Sequence, residues 1–148
     1  MSKAAVCTVK LGTWDRMRDW AMPIRMEVFV LEQHVAPEEE LDDMDAASLH
    51  AVAFDARGRA LGTGRLLPDG HVGRMAVLRD GRGSGVGSAL LEVLIAEARG
   101  LGYHAVVLHA QSHACGFYER HGFVAEGDEF EEANIPHILM RLPLAGGA

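Results

Sequence analysis

From residue 88 to residue 99, apolar side chains recur every three or four positions. Leu90, Leu91, Leu94, Ile95 and Ala98 fall on one side, with Ser88, Glu92 and Arg99 on the other, which predicts an amphipathic helix. Gly100 and Gly102 stop it. Residues 103–109 follow with Ala-Val-Val-Leu at their centre and read as a buried strand. Upstream, residues 4–10 alternate weakly and predict a first strand. Residues 14–32 have helical spacing, but Pro23 predicts a break, with two pieces joined near Met22. The second piece puts Ile24, Val28 and Leu31 on one face. Residues 35–47, with Pro37 and dense acid, read as a loop or a short irregular helix. Strands are predicted at 50–55 and 59–67, joined by the turn Asp55-Ala56-Arg57-Gly58. Pro68-Asp69-Gly70 is a second tight turn leading into a strand at 71–77. Ser112 is placed to N-cap a short helix through Arg120, closed by Gly122. Residues 123–125 and 137–142 complete the strands, with the acidic stretch 126–132 between them.

Composition narrows the class. With 148 residues, no linker and no repeat, the chain reads as a single domain over residues 1–148, long enough to bury a substantial core. No run approaches the ~18 apolar residues of a membrane span, and the first ten residues lack a signal-peptide layout. The expectation is a cytoplasmic protein without a membrane partner. Cys7 and Cys115 are too few for a disulfide framework. A formal charge of −7 argues against nucleic acid, because no basic surplus exists to displace phosphate counterions.

The candidate chemistry starts at the turn before the amphipathic helix. Gly81, Gly83, Gly85 and Gly87 keep side chains away from a helix N-terminus, where backbone N–H groups lack intrahelical acceptors and the dipole favours an anion. Arg82 adds a fixed positive charge. A mononucleotide P-loop would carry Gly-Lys-Ser/Thr, and no lysine is present. A dinucleotide fingerprint would follow the first strand, whereas this turn comes late in the chain.

Arg82-Gly83-Ser84-Gly85-Val86-Gly87 after the strand Met75-Ala76-Val77 resembles the acyl-CoA pyrophosphate loop of the GNAT superfamily of N-acyltransferases. A second segment, Ala110-Gln-Ser-His-Ala-Cys-Gly-Phe-Tyr-Glu-Arg-His-Gly-Phe123, resembles that family's motif A-x-x-F-Y-x-x-x-G-F. Residues 25–33 and 135–141 further resemble a bacterial subgroup of small GNAT proteins. The resemblance implies an α/β (α+β) fold. It would have a central mixed, mostly antiparallel sheet of about seven strands and about four helices, strands four and five splaying apart to admit the pantetheine chain.

It also implies an N-acetyltransferase using acetyl-CoA as co-substrate, with direct attack by a primary amine in a ternary complex. Backbone groups of Met75 and Val77, with Ala76 between them, would pair with pantetheine amides, and the Met75 N–H would face the oxyanion. Arg82, Gly83, Ser84, Gly85, Val86, Gly87 and Ser88 would hold the pyrophosphate. Tyr118 matches the family's thiolate-protonating tyrosine, and a phenol of pKa near 10 suits a thiol leaving group of roughly 8 to 9.

His71 sits where one branch of the family carries a glutamate base, and reads either as the general base or as an exposed hairpin residue. Glu32 and His137 fall in segments flanking the acceptor pocket and are rivals for that role or for substrate binding. His50, His109 and His137, as strand histidines, are each more often packed or surface residues. His109, His113 and Cys115 are the nearest approach to a metal set, but no second cysteine or carboxylate completes it, so no metal is expected. Two acidic runs, Glu38, Glu39, Glu40, Asp42, Asp43, Asp45 and Glu126, Asp128, Glu129, Glu131, Glu132, would border the acceptor entrance. They are either a solvated surface or a field that draws in a cationic small-molecule or peptide amine. A homodimer is frequent in this fold. A non-catalytic acyl-CoA-sensing module is the alternative reading.

Overall fold

A computed structural model describes residues 7–40 and 42–144. Among the described residues, seven strands form two antiparallel sheets. β1 (Thr8–Gly12), β2 (Leu49–Phe54), β3 (Ala60–Leu66) and β4 (Val72–Val77) lie in that order in the first. β5 (Ala105–Gln111), β7 (Ile135–Pro143) and β6 (Val124–Glu132) make the second. Four α-helices accompany them among the described residues: α1 (Trp14–Arg25), α2 (Pro37–Glu40), α3 (Val86–Gly100) and α4 (Cys115–Glu119). This is the mixed α/β arrangement expected, with seven strands. The predicted strand at residues 4–10 is described only from Thr8 onward, residues 4–6 lying outside the described residues.

β2 shows why two helical layers are needed. Its residues are nearly all buried because its two faces serve two cores. Ala51 and Ala53 join Leu90, Leu91 and Leu94 of α3, while Val52 and Phe54 pack with Met17 and Ala21 of α1. The helix read from the spacing at 88–99 therefore buries the predicted stripe, at about 25 cal/mol per Å² of apolar surface removed from water.

The sheets meet at one place. The Val107 N–H donates to the Gly70 carbonyl at 3.1 Å, and His71 pairs with Val107 in parallel sense. Beyond that contact β4 and β5 belong to different sheets, so a gap opens between them. Gly70 has φ +94°, and a Cβ there would lie 2.9 Å from the Ala105 carbonyl oxygen. Only glycine allows this approach. β4 is also bulged: Thr63 pairs with Ala76 and Arg65 with Gly73, so Gly64 alone faces both Arg74 and Met75. Arg74 takes φ +50° at the bulge.

Four expectations are corrected. Pro23 does not divide the first helix. α1 runs through it, because the Met26 N–H reaches both the Met22 and Pro23 carbonyls and the ladder resumes. Instead the chain widens afterwards into a π-helical segment, Met26–Glu32, with the Gln33 N–H on the Val28 carbonyl. This wider winding turns Leu31 off the Ile24–Val28 face, leaving it 66% exposed. The acidic stretch at 126–132 is not a connection but most of β6, an edge strand hydrogen-bonded only to β7, where both faces can be wet. The turn is Ala133-Asn134, both at positive φ, as a two-residue hairpin requires. Finally, Ser112 caps nothing; its Oγ donates to Glu129 Oε2 at 2.7 Å, and a 3₁₀ turn (Ser112–Ala114) precedes α4.

Candidate functional site

The gap between β4 and β5 opens into a cleft of about 1280 Å³, larger than the ~300–1,000 Å³ of most small-molecule pockets. It has room for two reactants. Met75, Ala76 and Val77 of β4 form one wall, and the turn Arg82, Gly83, Gly85, Val86, Gly87 and Ser88 closes one end. Tyr118 of α4, His71, Glu32 and His137 complete the set that the sequence singled out. Ser84 alone stands off the lining; its Oγ donates to the Gly81 carbonyl at 2.7 Å and closes the turn.

The turn is built for an anion. Gly85, at φ +88°, is the N-cap of α3, so the N–H groups of the helix's first turn have no intrahelical acceptors. A Cβ on Gly83 or Gly85 would meet nothing within 4 Å. The space beside these glycines is therefore open to an anion, with the α3 dipole behind the turn.

Arg82 and Glu32, separate candidates in the sequence, are partners. Arg82 Nη1 and Nη2 donate to the two Glu32 carboxylate oxygens at 2.8 and 2.6 Å, and its Nε donates to the Val77 carbonyl at 2.9 Å. Arg79 adds a longer contact at 3.4 Å. The hydrogen bonds from Arg82 hold the Glu32 carboxyl down at about 2. The π-helical segment thus brings a permanent carboxylate to the anion end of the cleft.

Tyr118 packs edge-on against Phe117 and Phe123, with ring centroids 5.0 and 5.9 Å away. Phe117 and Tyr118 both lean on the main core. Burial, with Cys115 nearby, pushes the Tyr118 phenol up to about 12. The close match to a thiol expected from an ordinary phenol is therefore replaced by a weaker acid that stays protonated across the neutral range.

At the other end lie histidines. The His71 backbone N–H is capped by Asp69 Oδ1 at 3.0 Å, and its ring Nδ1 is 3.1 Å from the same oxygen. His137 is buried, with Nδ1 donating to the Ile135 carbonyl at 2.7 Å and its ring stacked on Phe130. His109 also lines the cleft, beside Gln111, which exchanges hydrogen bonds with Gln33. By residue type and element alone, His109 reads as an ordinary strand histidine. Its phase was the available signal: it falls between Leu108 and Ala110, both buried, and so looks out from the opposite face. His113 Nε2 lies 2.8 Å from Gln111 Oε1.

Half of the first acidic run is paired. Glu40, Asp42 and Asp45 are matched by Arg25, Arg65 and Arg74. Arg25 Nε meets Glu40 at 2.6 Å and its Nη1 meets Asp45 at 2.8 Å, while Arg65 bridges Asp42 and Asp45. Hydrogen bonds from Arg65 hold Asp42 at about 2. Arg74, strained at the bulge, donates to the Glu39 and Glu40 carbonyls and to Asp42. Arg74 was missed, although Gly73 inside an apolar strand is a bulge signal. In the second run Glu126 pairs with Arg141, Glu129 accepts from Ser112, and Glu132 pairs with His109. The carboxylates left on the cleft away from the anion end are few, Asp69 and Glu132 among them.

The family model for the acetyltransferase (GNAT) domain matches residues 15–144. An uncharacterized N-acetyltransferase of Bacillus subtilis, YjcF, is 38% identical over 130 residues, covering 85% of this chain and 91% of its own. The crystal structure of an acyl-CoA N-acyltransferase from Pseudomonas aeruginosa superposes with a TM-score of 0.80 at 32% identity, over 92% of this chain and 99% of that one. Escherichia coli ElaA gives 0.79 at 25% identity, over 92% and 99%. The splayed strands, the bulge in β4 and the glycine turn before α3 thus sit in a chain that belongs to the GNAT family of acetyltransferases.

Proposed function

We propose that the cleft binds acetyl-CoA along β4 and transfers its acetyl group to a primary amine by direct attack in a ternary complex. The observation that carries this reading is the continuity of the cleft. One end offers backbone donors and arginine to a pyrophosphate, and the other offers histidine and carboxylate to an ammonium. Gly83, Gly85, Val86, Gly87 and Ser88 supply the backbone cradle, and Arg82 the charge-assisted contact. Met75 follows the bulged Arg74 opposite Gly64, outside the regular β3–β4 ladder, and its N–H serves the oxyanion of the tetrahedral adduct in this reading. Val77 and Ala76 continue the strand against which pantetheine lies.

Tyr118 gives a proton to the departing thiolate. At about 12 it is roughly three units less acidic than a thiol of about 8.5. Its contribution therefore belongs at the lower end of general-acid effects, about 10²-fold. An ammonium acceptor is favoured over an anionic one because Arg65 and Arg74, cleft-lining arginines away from the glycine turn, are already matched by Glu40, Asp42 and Asp45, while Asp69 and Glu132 lie with the histidines.

Thiol release from acetyl-CoA across a panel of primary amines tests the proposal, together with thermal shifts. Acetyl-CoA is expected to raise the melting temperature where NAD and ATP do not, and at least one amine to release thiol. A sensing module would show the shift and release no thiol with any amine.

A further inference from the structure

His109 and Glu132 form a second ionisable pair in the cleft. Nδ1 of His109 lies 2.8 Å from Glu132 Oε1. His109 comes from β5 and Glu132 from the last position of β6, just before the Ala133-Asn134 turn. The ring is walled on one side by Phe130, edge-on at 5.2 Å, and on the other by His71, edge-on at 5.8 Å. The side chain is 41% exposed, and Nε2 makes no hydrogen bond among the described residues. A carboxylate on Nδ1 fixes the tautomer that leaves Nε2 as an acceptor, and it stabilises the imidazolium that forms when Nε2 takes a proton. His71 has only a shared carboxylate, Asp69 Oδ1 at 3.1 Å from its Nδ1. Its Nδ1 is buried without an aligned hydrogen bond, and Asp69 is already capping its backbone.

We infer that His109, oriented by Glu132 on the β5 side of the gap between β4 and β5, takes the proton from the acceptor ammonium. The inference rests on the acetyl-transfer reading above. An N–H bond of the ammonium breaks and its proton passes to His109 Nε2; the freed lone pair forms the bond to the thioester carbonyl carbon. Collapse of the adduct breaks the C–S bond, and the thiolate takes the Tyr118 proton. The nitrogen's second proton restores the phenol, and His109 returns its own to water. One ammonium and one acetyl-CoA yield one amide, one coenzyme A thiol and one proton. Glu132 is the positioning residue. The titratable groups around the ring are Glu132 from β6, His71 just before β4 with Asp69 from the turn leading to it, and His137 of β7 beyond Phe130.

The test compares His109→Gln, Glu132→Gln and His71→Gln in the full chain. Thiol release is followed against pH with acetyl-CoA and the best aliphatic amine of the panel, and coenzyme A affinity by calorimetry. His109→Gln is expected to lose about 10²-fold in kcat/KM at pH 7, with coenzyme A affinity kept and the deficit closing as pH rises and the amine deprotonates itself. Glu132→Gln should lower kcat with little change in KM, by less than His109→Gln does. His71→Gln should lose less than His109→Gln. An unchanged rate in His109→Gln, a loss independent of pH, or an equal or larger loss in His71→Gln overturns the assignment and leaves acetyl transfer standing. Coenzyme A binding with no thiol release from the wild type with any amine overturns both.

Discussion

At Arg82 two anions compete for one guanidinium. The fork that a pyrophosphate would use is filled by both oxygens of Glu32, at 2.8 and 2.6 Å. Removing that carboxylate's charge should free the fork, so Glu32→Gln is expected to tighten coenzyme A binding several-fold, whereas Arg82→Ala weakens it by about tenfold, near the low end for a charge-assisted contact. Calorimetric titration with coenzyme A decides, and weaker binding in Glu32→Gln would show that Glu32 positions Arg82 for the phosphate instead. Tyr118→Phe keeps the ring against Phe117 and Phe123 and removes only the phenol. It is expected to lower kcat by about 10²-fold with little change in the acetyl-CoA KM. Because the Tyr118 phenol stays protonated to about 12, no loss of activity from its ionisation is expected below pH ~11; the defect should shrink at high pH, where the thiolate needs less help. Wild-type turnover in the variant would move the proton donor elsewhere. These residues were legible because Arg82 and Tyr118 sit inside short local motifs. Glu32 was legible as a candidate but not as Arg82's partner, since the pairing spans 50 residues of chain.

Elements were readable wherever one period governed them. α3 kept its stripe, and the β2–β3 hairpin formed at its turn, with the Gly58 N–H on the Asp55 carbonyl at 3.0 Å. Reading failed where an element obeyed no simple period. The π-helical winding after Pro23 is set by hydrogen bonds rather than by side-chain spacing, and β6, wet on both faces, carries no alternation to find. The junction of the two sheets was half visible: Pro68-Asp69-Gly70 marked a turn, but nothing local said that it would touch β5. That contact is testable. Gly70→Ala forces a Cβ to within 2.9 Å of the Ala105 carbonyl at φ +94°, at a cost of about 1–3 kcal/mol for the strained conformation. The expected result is a lower melting temperature together with a weaker response to acetyl-CoA, because the gap between β4 and β5 is hinged at this point. A Gly58→Ala variant, equally left-handed at φ +80° but with nothing within 4 Å, separates strain from the lost contact. It should lower the melting temperature while leaving the acetyl-CoA response intact.

Over the whole molecule, the acidity of the sequence is organised rather than merely solvated. Arg25, Glu40, Asp45, His50 and Arg65 are all buried, and with Asp42 and Arg74 they join α1, α2, the 3₁₀ turn (Asp45–Ala47), β2, β3 and β4 beside the cleft. A net charge cannot reveal this, because a paired and an unpaired carboxylate count alike. The pairing has a pH signature whose sign follows from the direction of each shift. His50 is held low, by burial first, against the opposing hydrogen bond to the Asp45 carbonyl. The unfolded chain therefore binds its proton first, and stability begins to fall as pH drops through about 6.5. Asp42 and Glu32 are held at about 2, and Asp45 is also lowered, its burial outweighed by Arg25 and Arg65. Their stabilisation is complete above the unfolded carboxylate range near 4 and is lost as pH falls from there to about 2. Each such proton steepens the loss by up to about 1.4 kcal/mol per pH unit. Melting temperatures measured from pH 8 to pH 2 should fall in two stages. His50→Gln is expected to flatten the first and Asp42→Asn to make the second shallower, though Asp42→Asn will be less stable than the wild type at pH 7 because Arg65 is left short of a partner. A second stage as steep in Asp42→Asn as in the wild type would mean that the buried cluster does not govern acid unfolding.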